Sequence, residues 1–299
     1  MVRKVRIIGS AFGKGARRAG CQDGPFELRM DKIERSIPHE EIEVKWNKII
    51  YTGDDPDYPD QPAMELVAEH NRKLCERMRF FSTSDMFPLV FGGDHSIAVG
   101  TWSGVVAGLD AYDKFGLIWI DAHMDAHDEE TSESGFIHGM PLAVLLGEGN
   151  EKLTSIGGDA RKLSPENVTL VGVRSFEDGE RKRLERLGVR IIYMDEVNKI
   201  GFKKAMEIAL ERAKNGTKGF GITIDIDGFD PEFAPAVGTP EKGGIARVDA
   251  IDVLKGFFYE DKLKAIEITE FNPHFDVEDK TQKFLEELMH SMFSKKDNK

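Results

Sequence analysis

Short apolar runs alternate along the chain with longer stretches in which apolar residues recur about once per helical turn. This is the rhythm of βαβ units closing a parallel sheet. Strands are predicted at 4–10, 42–51, 87–92, 115–120, 168–173, 188–193, 219–226 and 264–270. Helices are predicted at 62–82, 96–109, 140–148, 177–187, 202–214, 247–259 and 278–294. The run Gly116-Leu117-Ile118-Trp119-Ile120 is apolar on both faces, as a strand covered by helices on either side must be. In 202–214, Ala205, Ile208, Ala209 and Ala213 form a core-facing stripe. The segments 11–30, 52–61, 123–140 and 227–245 are rich in Gly, Pro and Asp and read as long loops, and 294–299 as a frayed tail.

Composition narrows the class. No repeat, low-complexity block or linker divides the 299 residues, so 1–299 is expected to be a single large α/β domain. With 40% hydrophobic and 31% charged residues the chain is globular rather than disordered. A net charge of -12 argues against a nucleic-acid partner, which calls for a basic face, and suits cationic substrates or divalent metals. Cys21 and Cys75 are too few for a disulfide framework. No apolar run has membrane-spanning length and the start lacks a signal-peptide core, so a cytoplasmic enzyme with no membrane partner is expected.

Three predicted strand ends carry acids and imidazoles: Gly92-Gly93-Asp94-His95-Ser96, Asp121-Ala122-His123-Met124-Asp125 and Asp225-Ile226-Asp227-Gly228-Phe229-Asp230-Pro231. Residues two apart in extended chain point to one side, so Asp121, His123 and Asp125 can converge, as can Asp225 and Asp227. In open parallel sheets ligands sit beyond the carboxyl ends of the strands, where these clusters fall. A lone Asp-x-His reads as a turn or loop cap. Three such clusters, with no cationic side chain among them, read instead as a binuclear metal site. Four carboxylates and two imidazoles without thiolate exceed one tetrahedral zinc site and favour Mn2+, with Co2+, Fe2+ or Ni2+ as substitutes.

Taken together, the three segments resemble the signatures of the arginase/agmatinase (ureohydrolase) family, and their order and spacing span most of the chain. The resemblance implies a three-layer α/β/α fold with a mainly parallel eight-stranded sheet and two Mn2+ ions per subunit. His95, Asp121, Asp125 and Asp225 would bind one ion; Asp121, His123, Asp225 and Asp227 would bind the other. It also implies a homo-oligomer, trimer or hexamer. The segment Thr131–Pro141 and Glu270-Phe271-Asn272-Pro273 look more like arginases than agmatinases, guanidinobutyrases or formiminoglutamases. The implied reaction is hydrolysis of the guanidinium of L-arginine to L-ornithine and urea by a hydroxide shared between the ions. Asp227 would handle a proton, His138 would shuttle one at the pocket mouth, and Glu270 would pair with the guanidinium.

Thr239 matches a pocket threonine, and Ser132 and Ser134 match hydroxyls that bind the α-carboxylate. His127 stands where the family carries asparagine, and Glu177, with Glu180 beyond it, where arginases usually carry aspartate. Those two departures leave the substrate's amino-acid end open. Read alone, Glu177 and Glu180 would complement a helix dipole, His138 would cap a helix, Glu270 would be a solvated strand-end acid, and Thr239-Pro240 an ordinary turn. A phosphate-ester metallohydrolase and a non-catalytic metal-binding relative are the other classes; the first lacks a phosphate-binding Gly-rich loop, and the second would be expected to break a ligand motif.

Overall fold

The computed structural model describes residues 2–53 and 61–296. In chain order the elements are β1 (Arg3–Ala11), α1 (Gly24–Met30), β2 (Ile42–Trp46), β3 (Ile50–Tyr51), α2 (Ala63–Ser82), β4 (Met86–Gly92), α3 (Ala98–Leu109) and β5 (Phe115–Ile120). There follow α4 (Pro141–Leu145), α5 (Glu151–Thr154), β6 (Val168–Val173), α6 (Asp178–Leu187), β7 (Arg190–Tyr193), α7 (Met194–Ile200) and α8 (Phe202–Lys214). The last four are β8 (Gly219–Asp225), α9 (Arg247–Val253), β9 (Leu263–Thr269) and α10 (Lys280–Phe293).

All the strands lie in one sheet of order β2-β1-β4-β9-β8-β5-β6-β7, with β3 pairing β1 beyond β2. Every pairing is parallel. Alternate strand residues feed two cores, one on each face. Ile118 and Ile120 of β5 join Ala205, Met206 and Ala209 of α8 and Phe284 and Leu288 of α10 on one side. Leu117 and Trp119 join Leu74 and Met78 of α2 and Trp102 of α3 on the other. That is the helix–sheet–helix sandwich expected from the doubly apolar strands. Two glycines allow the closest layer contacts. A Cβ on Gly116 would lie 2.1 Å from the Ala213 carbonyl oxygen, and one on Gly221 would lie 2.0 Å from the Trp102 ring.

Several boundaries differ from expectation for identifiable reasons. The predicted strand 42–51 is interrupted into β2 and β3, with Ile49 packed against Gly9 between them; among the described residues the expected eight-strand path is present, and the two-residue β3 is an addition to it on β1. The predicted loop 11–30 contains α1, whose Pro25 sits in the first turn, where its missing N–H costs nothing. The helix expected over 247–259 stops at Val253, and Gly256 turns left-handed (φ 72°) before a short 3-10 turn, Phe257–Tyr259. The stretch predicted as 140–148 is helical only over α4, and the short α5 and α7 were not anticipated. Of the loop 52–61, residues 54–60 lie outside the described residues, as do 297–299 of the predicted tail.

Sheet order is what builds the site. The four neighbouring strands β4, β9, β8 and β5 end side by side. They deliver His95, Glu270, Asp225 with Asp227, and Asp121 with His123 and Asp125 to one place. In sequence these groups are up to 175 residues apart.

Candidate metal centre

His95 follows β4 in a 3-10 turn and is fully buried. Its Nδ1 lies 3.2 Å from Asp121 Oδ2, 3.1 Å from Asp125 Oδ2 and 3.0 Å from Asp225 Oδ2. It makes no hydrogen bond with any of them. Its other nitrogen, Nε2, meets Thr223 Oγ1 at 3.0 Å, and Thr223 Oγ1 in turn donates to Glu267 Oε1 at 2.8 Å. Because the threonine hydrogen goes to Glu267, Nε2–H donates to Thr223, and Nδ1 is left with its lone pair facing three carboxylates. Such an arrangement is repulsive unless a cation lies between the groups. It fits a metal ion, and the donor types suit a hard or borderline divalent one.

The neighbouring group is built from local turns. His123 Nδ1 lies 3.1 Å from Asp227 Oδ2 and 3.5 Å from Asp121 Oδ1. The His123 backbone N–H donates to Asp121 Oδ1 at 2.6 Å, and that of Asp227 donates to Asp225 Oδ1 at 2.8 Å. In each case the first acid of an Asp-x-His or Asp-x-Asp pair caps the turn that carries the second. Asp125 adopts φ 50°, a left-handed conformation that Asp tolerates better than most residues. Trp119 stacks on His95 with centroids 4.3 Å apart and donates Nε1–H to Asp121 Oδ2 at 2.8 Å.

The electrostatics match. Burial, then the neighbouring Asp227 and Asp121 charges, push the Asp225 carboxyl well above the usual range. Burial and Asp121 push Asp125 up to about 6. Burial would also raise Asp121, but the adjacent His123 and His95 imidazoles hold it below its ordinary value. A cluster so reluctant to carry its full negative charge is what bound divalent cations would relieve.

Glu270 and His138 form the next layer. Glu270, with φ 67°, directs Oε1 to the His95 backbone N–H at 2.9 Å and to His138 Nδ1 at 3.1 Å. Burial alone would raise its carboxyl; the hydrogen bond and charge of His138 hold it lower. For His138, burial pulls down but the Glu270 carboxylate prevails, giving about 9. Thr239 Oγ1 donates to Asp227 Oδ2 at 3.0 Å.

These groups open into a cavity of about 480 Å³. Its outer part is lined by His127, Ser132, Ser134, Glu177 and Glu180, together with Phe136 and Phe176. Every residue expected at the site lies on this cavity or, for His95 and Asp121, directly beneath it. The His127 Nε2 is hydrogen-bonded to Glu177 and lies 3.5 Å from Glu180 Oε1, so these three could also surround a cation. Glu180 has a structural duty as well, accepting from the Glu177 N–H at 3.0 Å and the Ala126 N–H at 3.2 Å at the start of α6. The helix-start role of these acids takes the form of a capping box, in which Glu177 and Glu180 each accept from the other's backbone N–H, and it coexists with their place on the cavity.

Sequence reasoning missed the residues that hold the site in shape. Thr223 shares a strand face with Asp225, and Glu267 is a lone acid in an apolar central strand; the alternation carried both signals. Arg174 gave no signal at all. Its guanidinium donates to the Asp227 carbonyl at 2.7 Å and the Glu241 carbonyl at 2.8 Å, tying the Asp225–Asp227 turn to the loop of Thr239. Arg183 binds the Ala126 carbonyl at 2.6 Å and ion-pairs with Asp128 and Glu148, locking the His127 loop to α6.

Comparison with known proteins agrees with the geometry. The family model described as Arginase family matches residues 3–294. The arginase of Bacillus caldovelox is 37% identical over 306 aligned residues, covering 99% of each chain. The crystal structure of arginase from Bacillus subtilis superposes with a TM-score of 0.89 at 35% identity, covering 98% of this chain and 99% of that one. Formimidoylglutamase from Bacillus subtilis subsp. subtilis str. 168 shares the fold, with a TM-score of 0.77 at 19% identity.

Proposed function

The chain belongs to the arginase family and is a metal-dependent amidinohydrolase, and on that premise we propose that it cleaves L-arginine to L-ornithine and urea over two manganese ions. The observation that carries this reading is the meeting of four carboxylates and two imidazoles on the floor of a cavity whose wall holds Glu270. His95, Asp121, Asp125 and Asp225 would hold one ion, and Asp121, His123, Asp225 and Asp227 the other, with Asp121 and Asp225 shared. When bound, two divalent cations supply Lewis acidity and lower the pKa of water at the site, making hydroxide available near neutral pH.

The side chains do the rest. The Glu270 carboxylate, kept ionised by His138, pairs with the guanidinium and presents its carbon to the cavity floor. Thr239 fixes Asp227 through Oδ2, so Asp227 accepts the proton of the attacking group in a constant orientation. His138, held by Glu270 and carrying a proton at neutral pH, gives it to the departing amine as urea forms. At the outer end Ser132 and Ser134 donate to the α-carboxylate, His127 orients the acids beside it, and Glu177 and Glu180 face the α-amino group.

The test is urea release by the manganese-loaded protein from L-arginine, agmatine and 4-guanidinobutyrate. Preference for L-arginine supports the reading. Preference for agmatine, which Glu177 and Glu180 would also accept, or for 4-guanidinobutyrate keeps the hydrolase and overturns the substrate. Urea from none of the three overturns both.

A further inference from the structure

Besides the site carboxylates, the cavity lining carries the acids Glu133, Glu177, Glu180 and Glu241, and it also has a cationic rim. Arg17 and Arg18 line that rim, in the stretch the sequence marked only as loop. The stretch is pinned on both sides. The Gly15 N–H donates to Asp94 Oδ2 at 2.8 Å, and the Gly15 carbonyl accepts from the His138 N–H at 3.1 Å. Two residues beyond Arg17, the Ala19 carbonyl accepts from Asn272 Nδ2 at 3.0 Å. The anchors are the neighbours of the site itself: Asp94 precedes His95, and Asn272 follows Glu270 by two. Arg17 is thus held at a set place on the mouth of the cavity.

Its guanidinium is nevertheless unused. Among the described residues Arg17 has no hydrogen bond, ion pair or ring contact. The Arg18 guanidinium rests 5.9 Å from the centre of the Phe275 ring. In a chain of net charge -12, an exposed arginine with no acid beside it, on a cavity otherwise rich in acids, has its natural partner in an anion that enters the cavity. His127 does not fill that role, because its Nε2 is taken by Glu177. The cavity lining therefore offers both acids, Glu177 and Glu180, and an uncommitted cation, the complement of an α-amino acid zwitterion.

We propose that Arg17 reads the α-carboxylate of the substrate and is the residue that selects carboxylate-bearing guanidines over decarboxylated ones. This rests on the hydrolase reading above and names how it chooses its substrate class. Arg17→Ala should raise the KM for L-arginine and for 4-guanidinobutyrate about tenfold, with kcat little changed, and leave agmatine unaffected. Arg17→Lys should recover part of the loss. Calorimetric binding of L-ornithine and putrescine to the metal-loaded protein reads the same selectivity without turnover: the variant should lose ornithine affinity about tenfold and keep that for putrescine. Equal losses for both ligands, or none for ornithine, would overturn the proposal even if urea is released. Absence of urea with the ornithine–putrescine difference intact would instead overturn the hydrolase reading alone.

Discussion

Replacing Thr223 by Val tests the idea that His95 is aimed at the metals from behind. The two side chains have nearly the same shape, so the change removes a hydroxyl and leaves little cavity. Two contacts go: the His95 Nε2–H loses its acceptor at 3.0 Å, and Glu267 Oε1 loses a donor at 2.8 Å. Trp102 Nε1 still donates to that same oxygen at 3.0 Å, so Glu267 is weakened rather than stripped. His95 and Glu267 are both fully buried and water does not replace the hydroxyl. Each abandoned polar group costs about 1–3 kcal/mol, so the metal-free protein should lose about 2–5 kcal/mol of stability. With Nε2 unheld, the imidazole is also free to change tautomer, and manganese affinity should fall about 10- to 100-fold. Urea denaturation of the metal-free protein and calorimetric titration with Mn2+ measure the two effects, with Thr223→Ser as the variant that restores both. If Thr223→Val binds Mn2+ as the wild type does, the orienting role assigned to the threonine is wrong, whatever its stability.

His138→Asn should leave metal binding within about threefold and lower turnover by about 10²- to 10⁴-fold, because only the proton donor is lost; an emptied metal site in this variant would refute the role given to the imidazole. Asp125→Asn should weaken metal binding yet stabilise the metal-free protein in a pH-dependent way. The carboxyl, raised from 3.8 to about 6, holds its proton more tightly folded than unfolded, so the wild type loses stability as pH rises from about 4 to 6. The variant's advantage should therefore be absent at pH 3.5 and reach about 2–3 kcal/mol at pH 7, and thermal melts in chelator that show no such pH trend would refute it. Gly221→Ala should destabilise by about 1–3 kcal/mol or more, because its Cβ would lie 2.0 Å from the Trp102 ring; an unchanged denaturation midpoint would mean that α3 can move off the sheet.

The ligand-bearing residues were legible because each group is local. An apolar run announces the strand, and the alternation of polar residues past its end places Asp121, His123 and Asp125, or Asp225 and Asp227, on one side. What brings the groups together is not local. Strands β8 and β9 come late in the chain yet insert between β4 and β5, and no spacing within a motif encodes that order. The same long-range step hides the supporting residues. Thr223 on β8 matters only because β9 lies beside it with Glu267, in the register Thr223 to Glu267. Arg17 matters only because Asp94, His138 and Asn272, from three distant segments, fasten its loop. Helix α1 escaped for a different reason: Gly24 and Pro25 read as loop formers, whereas at the first turn of a helix they are permitted. The division has an energetic basis. Buried acids that repel one another cannot be what drives this chain to fold; the two apolar cores on either face of the sheet must supply that free energy. Those cores are built from positions many substitutions could fill, so the sequence displays the few residues whose chemistry admits no substitute more plainly than the packing that holds them in place.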